Sequence, residues 1–188
     1  MSFLAFYNSI VHTSIESINE LPFSVGTVHF KKGEVVTEYD QLEDTVYFIN
    51  EGMVEMTIKS YMTEKIIDFF FKNEMVCGFT SFLTQQPTDV KITALIDTQM
   101  EAIKRDDLME AYSHSLEANQ FGRILTEHGY IRKSNREKDL LTKTAEEKYA
   151  EMFATHSQYI TQIPVNKIAK YLGIHPESLS RIRKKINS

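Results

Sequence analysis

The chain has 188 residues, 42% of them apolar and 25% charged, with a formal net charge of −5 and one cysteine, Cys77. This length can bury a core of ordinary size, and one cysteine excludes an internal disulfide framework and any four-cysteine zinc or iron–sulfur site. The opening MSFLAFYNSIVHTSIESI lacks the basic start and cleavage site of a signal peptide. No apolar run nears the roughly 18 residues of a membrane helix. The expectation is a cytoplasmic protein with no membrane partner.

Residues 3–18 have helical spacing, with Leu4, Tyr7, Ile10, Val11 and Ile15 on one side. From about residue 25 to 104 the period shortens to that of strands. VGTVHF, EVVTEY, TVYFI, MVEMTI, KIIDFFF, VKITALI and QMEAIK follow one another, divided by KKGE, NEG, YMTE and QQPTD, which carry turn chemistry. Seven short strands at this spacing predict an antiparallel sandwich or roll. Beyond residue 104 the strands stop. A short helix is expected from about 106 and a long one from about 115 to 141, carrying Leu116, Phe121, Ile124, Leu125, His128 and Ile131. Gly122 and Gly129 stand seven apart on one face of it. Each costs about 1 kcal/mol against alanine, offset by close approach of another helix or else marking a kink. Thr144-Ala-Glu-Glu147 has the spacing of a capping box and opens a further helix.

The charge is divided. From Pro164 on, Lys167, Lys170, Arg181, Arg183, Lys184 and Lys185 face Glu177 alone, so the rest of the chain holds the acidic excess. This basic segment, IPVNKIAKYLGIHPESLSRIRKKI, meets the constraints of a helix–turn–helix with Val165 at its first position. Ile168 and Leu172 share an apolar face, and Ala169 is small where the second helix crosses. Gly173 can take the positive φ of the turn. Pro164 and Pro176 stand where helices begin, the one place proline is tolerated. Ile174, Leu179 and Ile182 pack back. The second helix would read DNA in the major groove, with Glu177, Ser178, Arg181, Lys184 and Lys185 outward. Arg181 can hold guanine by two hydrogen bonds and Glu177 can accept from cytosine. A plain surface pair between these two, four residues apart, is the bland alternative. Arg183, Lys184 and Lys185 suit phosphates, and Asn166 and His175 complete the candidate DNA-binding set.

KKGEVV, then DTVYFINEGMVEMTI with Gly52 after the turn, then IAKYLGIHPESLSRIRKK, together resemble the Crp/Fnr family of bacterial transcription regulators over nearly the whole chain. The PESLSRIRKK form is similar to versions found in the Bacteroidetes. The resemblance implies an α+β chain: an N-terminal antiparallel β-roll of cyclic-nucleotide-binding type (a jelly roll) at 1–112, a dimerisation helix at 113–142, and a small all-α helix–turn–helix domain at 143–188. It implies a homodimer along the long helix, with Phe121, Gly122, Leu125, His128 and Gly129 at the interface. It implies double-stranded DNA as partner, RNA polymerase if the protein activates, and a small-molecule effector not identified by the residues. Glu177 and Arg181 match base-reading positions of the family. Pro176 replaces a frequent arginine, and His175 stands where Ser or Thr usually caps.

The sensor departs further. Nucleotide-binding relatives carry Gly-Glu at the start of the phosphate cassette and Arg before its end. Here Gly78 matches, Phe79 takes the Glu position, and Asp89 or Val90 the Arg position. The effector-pocket candidates are therefore Gly78, Phe79, Thr80, Val90, Lys91 and Ile92, a degenerate set. A buried phosphate wants a bidentate cationic partner, and Lys91 is the only cation near, so tight cyclic AMP binding is not expected. The haem-sensing pattern needs a His where Phe79 stands. No cofactor or metal is expected. The absence of a β-hairpin wing beyond residue 186 suggests a minimal DNA-binding domain. Scattered histidines, with no HExxH, phosphate loop or Gly-x-Ser-x-Gly elbow, argue against an enzyme. The competing function is a sensor or scaffold of the same fold that has lost DNA and works through protein contacts.

Overall fold

A computed structural model describes residues 1–61 and 63–186. Met62, in the expected YMTE turn, lies outside the described residues. The element order is α1 (Phe3–Val11), β1 (Gly26–Phe30), β2 (Val35–Thr37), β3 (Thr45–Glu51), β4 (Met53–Ser60), β5 (Thr63–Phe71), β6 (Met75–Val76), α2 (Phe79–Thr84), β7 (Val90–Ala94), β8 (Thr98–Lys104), α3 (Arg105–His114), α4 (Leu116–Thr142), α5 (Ala145–Ile160), α6 (Val165–Leu172) and α7 (Pro176–Ile186). The strands form two four-stranded antiparallel sheets, β1-β8-β3-β6 and β2-β7-β4-β5. β6, two residues long, gave no alternation to read.

Strand alternation sorts the apolar residues into three layers. Ile49, Val54, Met56, Val90, Ile92 and Met100 meet between the sheets. Val46, Phe48 and Ile103 point out of the first sheet, where α1, α3 and α4 cover them. Met53, Phe69 and Phe71 point out of the second, where they join one apolar cluster with Ile160, Ile163, Ile168 and Leu172. Each sheet is thus apolar on both faces. The chain crosses between sheets at Gly52, whose φ is +109°. A Cβ there would lie 2.7 Å from the Thr98 Cα, so both the backbone angle and the space demand glycine.

The first helix ends earlier than its spacing suggests. α1 is capped by Ser2, which accepts from the Ala5 N–H, and stops at Val11 because His12 turns left-handed, with φ 58°. The Asn8 side chain then ties down the following loop, donating to the Ile15 carbonyl at 2.8 Å and accepting from its N–H at 3.2 Å. Ser115 caps α4 by accepting from the Ala118 N–H at 3.1 Å. The capping box is present: Thr144 Oγ1 accepts from the Glu147 N–H, and the Glu147 carboxylate accepts from the Thr144 N–H.

α4 is seated by Phe121. Its ring lies 5.9 Å from Phe3, 5.0 Å from Tyr7 and 5.7 Å from Phe23, and it is wholly buried. Two expected interface residues are therefore used inside the chain. Phe121 fills this aromatic cluster. A Cβ on Gly122 would lie 1.8 Å from the Tyr112 hydroxyl, so the close approach that pays for this glycine is to α3, not to a second chain. α4 runs unbroken through both glycines. Among the described residues, no helix is long and apolar enough to cross a membrane.

Phe121→Ala should cost about 3–5 kcal/mol of folding stability, read as a lower midpoint in urea unfolding. A loss under about 1 kcal/mol would mean that the aromatic cluster does not seat α4.

Candidate nucleic-acid interface

The last two helices form the expected pair. Pro164 stands just before α6 and Pro176 opens α7, where neither ring costs an intrahelical hydrogen bond. Gly173 takes φ 72° and ψ 31°, and the Ile174 N–H donates to the Ala169 carbonyl at 3.0 Å, which closes α6 with a left-handed turn. Ile168, Ala169, Leu172 and Leu179 are buried, with Ile174, Ile182 and Ile186 packed against them. The His175 carbonyl accepts from the Ser178 N–H at 3.0 Å, and its ring Nδ1 lies 3.5 Å from the Glu177 nitrogen. The ring is thus a long, weak cap.

Asn166, His175, Glu177, Ser178, Arg181, Lys184 and Lys185 are exposed. Among the described residues no ion pair joins Glu177 to Arg181, so the surface-pair alternative is not formed and both heads face solvent. Lys185 pairs with Glu146 of α5. Arg183 departs from its expected role as a phosphate contact. Its guanidinium turns inward over the Tyr149 ring, 5.7 Å from the centroid, and Nη2 lies 3.4 Å from the Ile160 carbonyl. Two positions past Arg181, it falls on the side of α7 that meets α5.

Of the cassette candidates, Gly78 lies against Val90, where a Cβ would be 3.4 Å from its Cγ2, but the six do not face one space. Val90 and Ile92 are core residues between the sheets, while Phe79 and Thr80 are exposed at the start of α2. Lys91 points out of the roll, 3.6 Å from Glu64 and 5.7 Å from the Tyr39 ring centroid. Gly78 serves packing: a Cβ there would lie 2.9 Å from Thr88 Oγ1. Its N–H donates to the buried carboxylate of Glu43 at 3.2 Å, which also accepts from Thr37 Oγ1 at 2.6 Å and the Thr45 N–H at 3.3 Å. Burial pushes the Glu43 carboxyl above its ordinary value, against the hydrogen bonds from Thr37, Gly78 and Thr45. The backbone donor at the head of the cassette is thus spent on the chain's own carboxylate. Nothing in LEDTVYF marked Glu43 as buried. Cys77 is buried beside it, and burial pushes its thiol up. Among the described residues no cluster could hold a metal ion.

On α4, Leu125 packs partly against the core, while His128 and Gly129 are exposed, with nothing within 4 Å of a Cβ at Gly129. Farther along, Arg132 reaches the roll. It donates to Asp68 Oδ2 and the Phe69 carbonyl, both at 2.8 Å, and lies 3.1 Å from Glu74. α5 kinks at His156 (φ −136°, ψ 35°), whose ring stacks on Phe71 at 4.2 Å. A cavity of about 370 Å³ opens at this junction, lined by Phe69, Arg132, Arg136, Lys148, Met152 and Tyr171 among others.

Residues 27–115 match the cyclic nucleotide-binding domain family. The fold extends the likeness to nearly the whole chain. FixK2 from Bradyrhizobium japonicum superposes with a TM-score of 0.72 at 21% identity, over 87% of this chain and 85% of that one. A protein described as a Crp/Fnr-family transcriptional regulator from Eubacterium rectale gives 0.68 at 18% identity, over 87% and 79%. The c-di-GMP-responsive regulator CLP from Xanthomonas campestris gives 0.62 at 16%, over 87% and 86%. No curated protein sequence matches significantly. The fold is a roll of cyclic-nucleotide-binding type followed by helices arranged as in Crp/Fnr regulators.

Burial lowers the His156 pKa, aided by Arg132 and opposed by Glu74. The folded state therefore favours the neutral ring. Its contribution to stability is complete above the ordinary imidazole value of 6.5 and is lost as pH falls from there through the lowered folded value. His156→Phe keeps a ring on Phe71 and removes the titration. Its urea-unfolding stability should fall less steeply below pH 6.5 than that of the parent, and parallel profiles would count against this role.

Proposed function

We propose that the chain is a dimeric, sequence-specific DNA-binding transcription regulator of Crp/Fnr type, whose roll does not bind cyclic AMP tightly. The observation that carries this reading is the α6–Gly173–α7 pair. It presents Glu177, Ser178, Arg181 and Lys184 together on one solvent-facing side, with the apolar residues of both helices turned inward. The fold likeness to Crp/Fnr regulators supports it.

In the roles inferred here, Arg181 and Glu177 read base edges, while Lys184, Lys185 and Asn166 contact backbone phosphates. Arg183 instead braces α7 on α5. The homodimer would use the part of α4 that the chain leaves uncovered. Tyr130 is 72% exposed and Leu141 82%, beside Ile131, His128 and Gly129, and exposed apolar residues along one helix favour burial by a partner. Two-fold pairing would present two α7 helices to successive major grooves. RNA polymerase would be a further partner of an activator, and the cytoplasm the place of action. The reading is not enzymatic, and the fold likeness to transcription regulators supports it there.

The cassette supports the lack of cyclic AMP binding. Lys91 faces away from the space between the sheets, and the Gly78 N–H is held by Glu43. Calorimetry with cyclic AMP should show no saturable heat at micromolar ligand, and a saturable isotherm there would overturn this part.

Selection from random DNA followed by titration tests the main reading. Raising salt from about 50 to about 200 mM should weaken binding by at least about tenfold. Arg181→Ala should lose about 1–3 kcal/mol on the selected sequence and flatten sequence preference, whereas Lys184→Ala should weaken every sequence alike. No enrichment of any sequence would favour the protein-scaffold alternative.

A further inference from the structure

α6 has two working faces. Ile168, Ala169 and Leu172 belong to the core it shares with α7. Lys167 and Tyr171, one turn apart, face the second sheet of the roll. The Tyr171 ring lies 5.2 Å from Phe69, and the Lys167 ammonium forms an ion pair with Glu55 of β4. Glu55 sits on the outer face of that sheet, opposite Phe69 in register and between Met53 and Thr57 on its own strand. Its side chain is 7% exposed, and its second oxygen, Oε2, is buried with no hydrogen-bond partner. A carboxylate in such surroundings depends on the Lys167 cation. Without Lys167 it would be an uncompensated charge beneath the docked helix. The charge of Lys167 is likewise spent on the roll and not on DNA.

We propose that Glu55 and Lys167 are a positioning pair, a charge lock that holds the helix–turn–helix on the roll in one orientation and so sets the direction in which α7 presents Arg181. The consequence for DNA rests on the function proposed above; the lock itself does not. Apolar packing of Phe69, Phe71, Tyr159 and Tyr171 supplies adhesion without direction. The ion pair supplies register, because only one placement of α6 brings Lys167 over Glu55. Breaking the pair should loosen the register of the head on the sheet, which apolar packing still holds, while leaving both folded, since the core between the sheets involves neither residue.

The test is a charge exchange followed by hydrogen-exchange mass spectrometry on the full chain. Glu55→Lys and Lys167→Glu should each raise exchange in β5 and α6 by about tenfold or more, with β3 and β8 unchanged. The double exchange, Glu55→Lys with Lys167→Glu, should bring it back to within about threefold of the parent. A loss of packing alone would not be rescued in this way. Glu55→Gln serves if the reversals fail to fold, and should raise exchange in the same two elements. Unchanged exchange in Glu55→Lys or Glu55→Gln, or no rescue in the double variant, overturns the lock. DNA titration of the same variants separates the two readings. Loss and recovery of affinity in step with exchange supports the positioning role, and unaltered affinity with raised exchange overturns that role while keeping the lock. If the parent binds no DNA, the regulator reading fails and the lock is decided by exchange.

Discussion

Both sheets of the roll are apolar on their outer as well as their inner faces, and neither can be left in water. This constraint organises the molecule. The outer face bearing Val46, Phe48 and Ile103 is closed by α1, α3 and the start of α4. The outer face bearing Met53, Phe69 and Phe71 is closed by α5 and α6. Burying side chains of this size yields about 1.5–3 kcal/mol each, so the second surface alone is a strong reason for the terminal helices to lie against the roll. The terminal helix pair is in this sense the lid of a sheet, quite apart from the DNA-reading role proposed for it.

Polar groups at that lid then decide geometry. Glu55 takes Lys167, Arg132 takes Asp68 and Glu74, and His156 kinks α5 so that its ring can lie on Phe71. Each of these contacts ties a helix to one place on the sheet, and the proposed lock assigns Glu55 and Lys167 the choice of register. Between the sheets, Met56, Val90, Ile92 and Met100 pack together, and the Gly78 N–H donates to the Glu43 carboxylate.

Much of this was legible in the chain. Strand period and turn residues gave seven of eight strands, and capping chemistry placed the start of α5. Gly173, Ala169, Pro164 and Pro176 placed the α6–α7 pair, because each answers a local backbone demand visible in sequence. What was not legible depends on which surfaces meet. Gly122 was rightly read as making room for another helix, but that helix is α3 of the same chain, through Tyr112, and not a partner's across an interface. Arg183 was counted with the basic run, but its place on the helix turns it toward Tyr149. The early end of α1 depends on the left-handed turn at His12, after which Asn8 holds Ile15, a loop geometry with no periodic signature. Glu43 and Glu55 look like any other acids until the sheet buries them.

In the proposed dimer, two of these heads face DNA together, each held in place by its own roll. Pulsed electron–electron resonance between nitroxides at Ser180→Cys measures this directly, because Ser180 is exposed on α7 while the native Cys77 is buried. A single dominant distance is expected in solution, near the roughly 34 Å that separates successive major grooves. A monomer with no dipolar signal, or heads held at less than about 20 Å or more than about 50 Å in both free and DNA-bound protein, would contradict it.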